Sequence, residues 1–421
     1  MAHAGRTLTP PSQRAWTPGA QRLDARTRSE LTPLWRRVQG SNLPPFEVCL
    51  PDEHVYLFTD GSGATDTEVE PRFTLIARTA RGVRALTSLD EFEIATAYLR
   101  DDIDVDGDFM SCLGLRSVLT DRHLIRSLLR FVIPLIRGQR RSDLSWVPRH
   151  YDFGNEFYFA FLDKRYGVYS QALYTADDES LEDAITNKLE YIVDVCRLRP
   201  GSHVLDVGAG WGSLEKFLGP QGIHSTMLTI SREQYRFLSD WSPRQQAPGR
   251  LRVVSESIFA YDPPEQYDAI VLLGVMEHLP NYRKLFARFS RLLKPGGRVY
   301  MDFAAADRKF DVSTFTYRYV FPGNHTPVFL PGLFGGAAAH GFEPIVLHND
   351  RHSYYLTLQA WARNLESAHE AVLPIVGEEV YRLFRLYLWG CAYQLKHDGS
   401  LQSYRVVFQR SRGRPSSEIG L

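Results

Sequence analysis

The residues best suited to chemistry form a glycine-rich loop, VLDVGAGWG at 204–212. The apolar strand 204–207 runs into Gly208, Gly210 and Gly212, and a helical pattern follows. Glycine lets the backbone pass close to a ligand, and the first turn of a helix offers unpaired N–H groups. This loop is therefore the candidate cofactor-binding turn, and its other candidate members are Asp206, Ala209 and Trp211.

The order of motifs around this loop favours S-adenosylmethionine over a dinucleotide. The glycines follow the spacing GxGxG rather than GxGxxG, which suits a ligand that needs close backbone approach but carries no pyrophosphate. Downstream come YDAIVLLGVMEHL at 267–279 and LLKPGG at 292–297, before a further strand. This is the usual order in class I methyltransferases. A glycine turn with a purely structural role is the alternative.

Alternating strands and helices must position this loop. From about residue 183 the pattern changes repeatedly between strands, such as HSTMLTIS at 224–231, and helices, such as NYRKLFARFSRLL at 281–293. Such a βαβ order predicts a parallel sheet covered by helices on both faces. The predicted fold class is α/β: a Rossmann-like class I methyltransferase fold with a seven-stranded, mostly parallel sheet and helical additions.

A small α+β domain is predicted ahead of this sheet. VYLFTD at 55–60 and RFTLIARTA at 72–80 are predicted strands, because β-branched and aromatic residues dominate them. SLDE at 88–91 resembles a capping box, in which Ser88 caps a helix and Glu91 reaches back. The predicted segments are a poorly ordered N-terminus at 1–30, the α+β domain at 31–120, a basic helical linker at 121–145, the methyltransferase domain at 146–410 and a polar tail at 411–421.

Composition excludes several function classes. The 421 residues include 49 Lys plus Arg and 49 Asp plus Glu, so no net field draws the protein to nucleic acid. The four cysteines lack metal-ligand or disulfide spacing, and we expect no metal site and a reducing cytoplasm. We expect neither a secretory signal nor a membrane span, since the apolar runs are shorter than the roughly 20 residues that a span needs.

A basic amphipathic segment, LIRSLLRFVIPLIRGQRRSD at 124–143, has two interpretations. It is either a helix with a solvated charged end or an element that lies on a membrane surface. In the second case the apolar face enters the lipid and the arginines approach phosphate headgroups. The expected location is cytoplasmic, and peripheral at the inner membrane face in that second case. The arginines are Arg126, Arg130, Arg137, Arg140 and Arg141.

Together these motifs resemble the cyclopropane-fatty-acid synthase family, which includes mycolic acid cyclopropane synthases and methyltransferases. The resemblance runs from about residue 46 to 410. HYDFGNEFY at 150–158 is similar to the family's HYDxGNxFY, and VYSQALY at 168–174 is similar to its YSCAYW. Three further segments are similar to family motifs: LTISREQ at 228–234, GVMEHLPNY at 274–282 and HNDRHSYYLTLQAW at 348–361.

The resemblance implies C-methylation of an unsaturated phospholipid acyl chain. The double bond attacks the methyl group of S-adenosylmethionine, and the resulting carbocation loses a proton. Loss from the new methyl group closes a cyclopropane, and loss from a neighbouring carbon gives a methyl- or methylene-branched chain. The resemblance also implies a homodimer. Together with the strand ends, it implies as cofactor contacts Tyr169, Ser170, Thr229, Ile230, Ser231, Gln234, Glu256, Ser257 and Gly274.

In the cyclopropane synthases that this chain resembles, a bound bicarbonate acts as the base, held by a Cys, a Glu, a His, a backbone group and a Tyr. The matching positions here are Gln171, Glu277, Asp302, Ala304 and Tyr354, so the Cys and the His are replaced. An anion beside two carboxylates would meet repulsion of roughly 4 kcal/mol from each at about 4 Å, for an effective dielectric constant of about 20. Bicarbonate binding is therefore expected to be weakened.

We expect Asp302 to replace bicarbonate as the base, or to stabilise the cation, with Gln171 and Tyr354 orienting it. Asp302 lies at the C-terminal edge of a parallel strand, where ligands of α/β sheets bind, which favours this role over a solvent-facing carboxylate. Glu277 also has a structural alternative, as a helix cap or an ion-paired acid before the next helix.

Three functions stay open on the sequence alone. The first is a lipid C-methyltransferase that acts on an unsaturated acyl chain. The second is a C- or N-methyltransferase, or a cyclopropanase, that acts on an olefinic small molecule. The third is a non-catalytic protein that binds lipid or S-adenosylmethionine. The N-terminal domain and the basic segment favour the first, and the altered bicarbonate positions favour the second.

Overall fold

Residues 25–59, 70–120, 153–308, 313–321 and 325–411 are described by the computed structural model. They fall into two units. One contains the described residues up to Leu89 together with Asp102–Val118, and the other contains Asp90–Asp101 and the described residues from Leu119 onward.

The helices are α1 (Ala25–Val38), α2 (Ala80–Ser88), α3 (Glu91–Leu99), α4 (Phe109–Cys112), α5 (Asn155–Phe161), α6 (Leu181–Val195), α7 (Ser213–Leu218), α8 (Arg232–Trp241), α9 (Tyr282–Leu292), α10 (Leu330–Ala338), α11 (Arg351–Ser367) and α12 (His369–Tyr393). The strands are β1 (Phe46–Cys49), β2 (Val55–Phe58), β3 (Phe73–Ala77), β4 (Ile103–Gly107), β5 (His203–Val207), β6 (His224–Thr229), β7 (Leu251–Ser255), β8 (Tyr267–Leu273), β9 (Leu293–Ala305), β10 (Phe342–Asn349) and β11 (Gln402–Arg410).

A four-stranded sheet forms the centre of the first unit, in the order β2-β1-β3-β4. β1 pairs in parallel with β3 and antiparallel with β2. Successive side chains of a strand point to opposite faces, and Phe46, Phe58 and Phe73 share the buried face. Their rings stack at centroid distances of 5.0 and 4.9 Å. The two predicted strands are confirmed as β2 and β3.

The start of α3 differs from the predicted capping box. Ser88 is the last residue of α2, and Leu89 ends that helix in the left-handed conformation with φ 55°. Asp90 caps α3, because its carboxylate accepts a hydrogen bond from the Glu93 N–H at 3.0 Å. The Ser88 hydroxyl donates to the Ala85 carbonyl at 2.7 Å. The assignment of Ser88 as the cap is wrong, because a preceding helix already contains that residue.

Helix α3 belongs to the second unit, although its sequence lies in the predicted N-terminal domain. Arg382 of α12 donates to Asp101 at 2.7 Å, and its guanidinium lies 5.0 Å from the centre of the Tyr98 ring. The Tyr319 hydroxyl lies 3.2 Å from the Thr96 hydroxyl. These polar contacts connect α3 to two segments that are distant from it in sequence.

A seven-stranded sheet organises the second unit, in the order β10-β11-β9-β8-β5-β6-β7. The strands β9, β8, β5, β6 and β7 are parallel, and β11 is antiparallel to both of its neighbours. The predicted α/β fold with a mostly parallel sheet is confirmed. β5 and β8 pair in parallel, so the glycine-rich loop after β5 and the loop after β8 meet at one edge of the sheet.

Apolar helix faces cover this sheet and hold its edge in place. Leu285, Phe286 and Phe289 of α9 are buried against the sheet in the main core cluster. The Phe286 ring lies 5.1 Å from the Phe408 ring of β11. Removing such apolar surface from water stabilises the fold by about 25 cal/mol per Å².

Helix α6 carries one cation into the core. Ser180 caps this helix, because its hydroxyl accepts a hydrogen bond from the Asp183 N–H at 3.1 Å, and acidic residues in the first turn favour the helix dipole. Its buried positions recur every three or four residues, as expected for one face of an amphipathic helix. These positions are Leu181, Ala184, Ile185, Lys188, Leu189 and Ile192.

The basic helical linker at 121–145 lies outside the described residues, as do most of the N-terminus at 1–30 and most of the polar tail at 411–421. α1 begins at Ala25, inside the N-terminal segment. Across the ranges that the structure describes, no helix has both the length and the apolar character needed to cross a membrane.

Candidate active site

Two neighbouring cavities lie at the carboxyl edge of the parallel strands, and both are bordered by Tyr169 and Gly274. The glycine-loop cavity is the one bordered by the loop after β5 and by Gln234 of α8. The aromatic cavity is the one bordered by Glu277, Tyr354 and several aromatic rings. Two ligands bound in these cavities would therefore meet at Tyr169 and Gly274.

The structure divides the predicted cofactor contacts into two groups. Those that border the glycine-loop cavity are Tyr169, Ser170, Asp206, Gly208, Ala209, Gly210, Trp211, Gln234 and Gly274. Those that do not border it are Gly212, Thr229, Ile230, Ser231, Glu256 and Ser257.

The surroundings of the loop glycines differ, so glycine is needed at each position for a different structural reason. All three have positive φ, with values of 79°, 56° and 71° for Gly208, Gly210 and Gly212. A Cβ on Gly210 would meet nothing within 4 Å, so this residue faces open space. A Cβ on Gly212 would lie 2.9 Å from the Trp241 ring, so this residue serves packing against α8. Gly210 is therefore the one of these two at which a ligand can approach the backbone.

The end of β6 supports the cavity without bordering it. The Thr229 hydroxyl donates to the Gln234 side-chain oxygen at 2.8 Å, and Ser231 caps α8 by accepting from the Gln234 N–H at 3.3 Å. Thr229 and Ser231 thus hold Gln234, which does border the cavity. Glu256 is exposed at the end of β7, and Ser257 lies half-buried next to it.

The residues of the glycine-loop cavity fit S-adenosylmethionine. Gly210 leaves room for close backbone approach, and a buried carboxylate, Asp206, borders the same space. Burial raises the pKa of Asp206, and the neighbouring Glu215 and Asp302 add to this rise. A cationic ligand such as S-adenosylmethionine offsets the desolvation of that carboxylate. Gln234 and Ser170 offer further polar groups at the rim.

Aromatic rings cluster around Tyr169, which borders both cavities. The Tyr169 ring lies 5.2 Å from Trp361, and Trp361 lies 6.5 Å from Tyr354. On the other side the Tyr158 ring lies 5.5 Å from Tyr169 and 5.0 Å from Trp211. Such rings attract positive charge through their faces. This cluster therefore suits a reaction in which positive charge develops near Tyr169.

Glu277 presents a carboxylate to the aromatic cavity. Its side chain is buried, and its Oε1 accepts a hydrogen bond from the Ala304 N–H at 2.6 Å. Its Oε2 has no hydrogen-bond partner among the described residues. Burial raises the pKa of Glu277 to about 7. The adjacent His278 is neutral at that pH, because burial lowers its pKa to about 4.

Asp302 and Lys188 form a fully buried ion pair. Lys188 Nζ lies 3.2 Å from Asp302 Oδ2 and donates to the Ser170 hydroxyl at 2.7 Å. Asp302 Oδ1 accepts a hydrogen bond from the Gly274 N–H at 2.7 Å. Burial lowers the pKa of Lys188 and raises that of Asp302, and their mutual attraction opposes both shifts. Both carboxylate oxygens of Asp302 therefore have partners within the protein.

Gln171 belongs to a separate polar network. Its amide donates to Asp350 Oδ2 at 3.0 Å, and its side-chain oxygen accepts a hydrogen bond from the Ser403 hydroxyl. Arg405 lies 3.5 Å from the same Asp350 oxygen. The Asp350 carbonyl accepts from the Tyr354 N–H at 2.9 Å. Gln171 thus holds the start of α11, the helix that carries Tyr354.

The expected arrangement of Gln171 and Tyr354 around Asp302 is not found. Tyr354 and Glu277 border the aromatic cavity, but Asp302 and Gln171 border neither cavity. Asp302 does not face solvent either, since it is fully buried. The expected repulsion of an anion by Asp302 is also reduced, because Lys188 supplies the opposite charge. The interpretation of Asp302 as a free base is therefore corrected to that of an ion-paired carboxylate.

Sequence reasoning missed several residues of the site. Lys188 is the most important, and its signal was a lysine at a buried-face position of α6. Asp350 and Ser403 are two more, and they carry no local signal because they meet Gln171 only in the folded chain. Trp361, the last residue of the motif at 348–361, borders the aromatic cavity as well.

Substituting the two glycines separates binding from packing. For Gly210→Ala we expect about a tenfold weaker affinity for S-adenosylhomocysteine, equivalent to about 1.4 kcal/mol, because the methyl group enters the open space. For Gly212→Ala we expect mainly a lower Tm, because its methyl group meets Trp241. Calorimetric titration and thermal unfolding measure the two effects. Equal affinities of Gly210→Ala and the native protein would contradict the assignment.

Breaking the ion pair should destabilise the fold strongly. Lys188→Met leaves Asp302 buried without its counterion, and we expect a loss of about 3–5 kcal/mol in the free energy of unfolding. The double variant Lys188→Met/Asp302→Asn should recover part of this loss, because no lone charge remains. Glu190→Gln, at an exposed position of the same helix, is the matched control. Denaturant unfolding measures all three, and a loss below about 1 kcal/mol for Lys188→Met would refute the role of the pair.

Known proteins resemble this chain over most of its length. The family model described as mycolic acid cyclopropane synthetase matches residues 138–405. A probable fatty acid methyltransferase of Pseudomonas putida is 27% identical over 341 residues, covering 78% of this chain and 85% of that protein. The cyclopropane-fatty-acyl-phospholipid synthase of Escherichia coli K12 is 30% identical over 302 residues, covering 68% of this chain and 74% of that protein.

Solved structures agree with this resemblance. The structure of the mycolic acid cyclopropane synthase CmaA1, complexed with SAH and CTAB, is similar with a TM-score of 0.59 at 25% identity. The similarity covers 63% of this chain and 98% of that protein. The matched segment 138–405 contains the glycine-rich loop and every residue described at the two cavities. The chain therefore belongs to the mycolic acid cyclopropane synthetase family and is an S-adenosylmethionine-dependent methyltransferase.

Proposed function

We propose that this enzyme adds a methyl or methylene carbon to the double bond of an unsaturated fatty acyl chain, by way of a carbocation. The observation that carries the proposal is that Tyr169 and Gly274 border both cavities. S-adenosylmethionine supplies an electrophilic methyl group when it is bound. Relatives that are named for fatty acid and phospholipid substrates support an acyl chain as the acceptor.

The residues around the junction have separate tasks in this proposal. Asp206 and the backbone at Gly210 would hold the cofactor, and Tyr169 borders the same cavity. The rings of Tyr169, Trp361 and Tyr354 exclude water and stabilise positive charge on the acyl carbon. The Tyr354 phenol stays protonated, because burial raises its pKa well above the usual value. A base beside the cation is needed to remove a proton.

A second candidate is methylation of an olefinic small molecule. The observation that favours it is the polar part of the aromatic cavity wall, where Ser313, Thr316 and Gln394 offer side-chain groups that a hydrocarbon chain cannot use. An acyl chain would leave these groups to water or to one another, whereas an oxygenated substrate could bond them. The two candidates use the same methyl transfer and differ in the acceptor.

Acyl-chain profiling tests the lipid substrate. Expression in a bacterial host rich in unsaturated phospholipids should produce acyl chains heavier by one CH₂ group, with loss of the parent monoenes. Gas chromatography with mass spectrometry distinguishes cyclopropane from methyl- and methylene-branched products. Gly208→Val is the inactive control, because a side chain there meets Val275. An unchanged profile from expressed protein that binds S-adenosylhomocysteine would reject the lipid substrate and favour the small molecule.

We also propose that the basic segment at 124–143, which lies outside the described residues, docks on anionic lipid. Its charge and apolar content support this, and headgroup attraction is worth about 1 kcal/mol per basic residue. In liposome flotation, binding should need anionic lipid and should be lost in the triple variant Arg137→Ser/Arg140→Ser/Arg141→Ser. Equal flotation of this variant would refute the docking. Sedimentation of the same samples tests the homodimer that the family resemblance implies.

A further inference from the structure

We propose that Glu277 itself removes the proton from the carbocation, so that this enzyme works without bicarbonate. The reaction in this inference is the one given under the proposed function. The assignment of Glu277 as the base comes from the geometry around its carboxylate. It changes the identity of the proton acceptor from a bound anion, or from Asp302, to a side chain of the β8–α9 loop.

Glu277 is held in place with one oxygen left for the reaction. The Ala304 N–H donates to Oε1 at 2.6 Å, and the Thr326 N–H donates to the Glu277 carbonyl at 2.9 Å. Both contacts fix the loop and the side chain. Oε2 is buried without a partner among the described residues, and the residue borders the aromatic cavity. A buried acceptor without a donor is costly unless a ligand supplies the proton.

The other nearby carboxylates already have hydrogen-bond or ion-pair partners within the protein. Both oxygens of Asp302 are bonded, to Lys188 and to the Gly274 N–H. Asp350 receives Gln171 and lies within ion-pair distance of Arg405. Among the described residues, Glu277 is the carboxylate that borders the aromatic cavity. It is therefore the group best placed to meet a proton on the substrate.

The positions that resemble the bicarbonate cage do not fit bicarbonate here. The Gln171 side chain is bonded to Asp350 and Ser403 and does not border the cavity. The Ala304 N–H, a donor that an anion would need, already donates to Glu277. Asp302 stands where the family has a histidine and carries a negative charge that its own lysine balances. A bound bicarbonate needs hydrogen-bond donors, but these positions present carboxylate acceptors and a backbone N–H that already donates to Glu277.

The proton transfer balances without any further reagent. The π electrons of the double bond form a bond to the transferred methyl carbon, and the carbon–sulfur bond electrons stay on sulfur. The adjacent acyl carbon is then cationic. Glu277 Oε2 takes a proton, and the electrons of the broken C–H bond form either the third side of a cyclopropane or a new double bond. The carboxylate ends as a neutral acid.

The surroundings of Glu277 suit a base that works near neutral pH. Burial raises its pKa to about 7, the Ala304 hydrogen bond opposes the rise and the charge of Asp302 adds to it. Tyr282 of α9 and Tyr354 of α11 also face it, and burial raises the pKa of both phenols; the adjacent His278 is neutral, because burial lowers its pKa to about 4. Tyr169, His325, Tyr387 and Cys391 border the same cavity. The base is the unprotonated form, so kcat should rise with pH through about 7 and then level off.

Three variants of the full-length enzyme test the base. For Glu277→Gln we expect kcat to fall by about 10²–10⁴-fold with a small change in KM, because a general base contributes a factor of this size. Glu277→Asp should retain part of the activity. Glu277→Ala should regain activity with added formate, which replaces the missing carboxylate. Glu343→Gln, at an exposed position of β10, is the matched control and should keep the native rate. Wild-type kcat for Glu277→Gln would overturn the proposal.

Bicarbonate dependence is measured separately, in buffer freed of carbon dioxide. We expect the same rate with and without added bicarbonate, and no line broadening of ¹³C-bicarbonate by the protein saturated with S-adenosylhomocysteine. The NMR measurement needs no substrate, so its result stands even if the lipid substrate is rejected. Broadening that is lost in Glu277→Gln, or a rate that rises several-fold with bicarbonate, would overturn the proposal. Titration with S-adenosylhomocysteine confirms that each variant is folded.

Discussion

The buried ion pair between Lys188 and Asp302 is the interaction on which the site depends. It joins α6 to β9, and through Ser170 and Gly274 it also holds the two segments that border the cavities. Two unpaired charges in such a place would each cost several kcal/mol in desolvation. Their pairing, with a hydroxyl and a backbone N–H as further partners, makes the burial tolerable. It also allows little freedom to the loop that carries Tyr169.

This pairing separates the roles of two carboxylates that lie close together. Asp302 has a permanent cation beside it, and both of its oxygens are bonded. Glu277 accepts one backbone hydrogen bond at Oε1, burial raises its pKa to about 7, and its Oε2 has no hydrogen-bond partner among the described residues. Environments that differ in this way assign different tasks to chemically similar groups. The acid beside the lysine supports structure, and the desolvated acid beside the cavity is suited to exchange a proton.

The structural role of Gln171, which replaces the family's cysteine, depends on the residues to which it is hydrogen-bonded. An amide donates and accepts at once, and Gln171 does both, toward Asp350 and Ser403. These contacts attach the loop after α5 to the start of α11 and to the start of β11. A cysteine could not make the same pair of strong hydrogen bonds. Gln171 thus helps to position Tyr354 through Asp350, at the start of α11, and it does not border the aromatic cavity.

The sequence by itself determined the elements whose signals are local. Apolar strands, amphipathic helices and the turn at Gly208 and Gly210 follow from side-chain periodicity and backbone freedom, and both can be read within a few residues. The α/β class, the parallel sheet and the cofactor loop were therefore predictable. Only the tertiary structure decided that Lys188 pairs with Asp302, 114 positions away, and that Gln171 pairs with Asp350, 179 positions away. Charge, burial and hydrogen-bond supply at such sites depend on neighbours that chain folding brings together, and no local pattern records them.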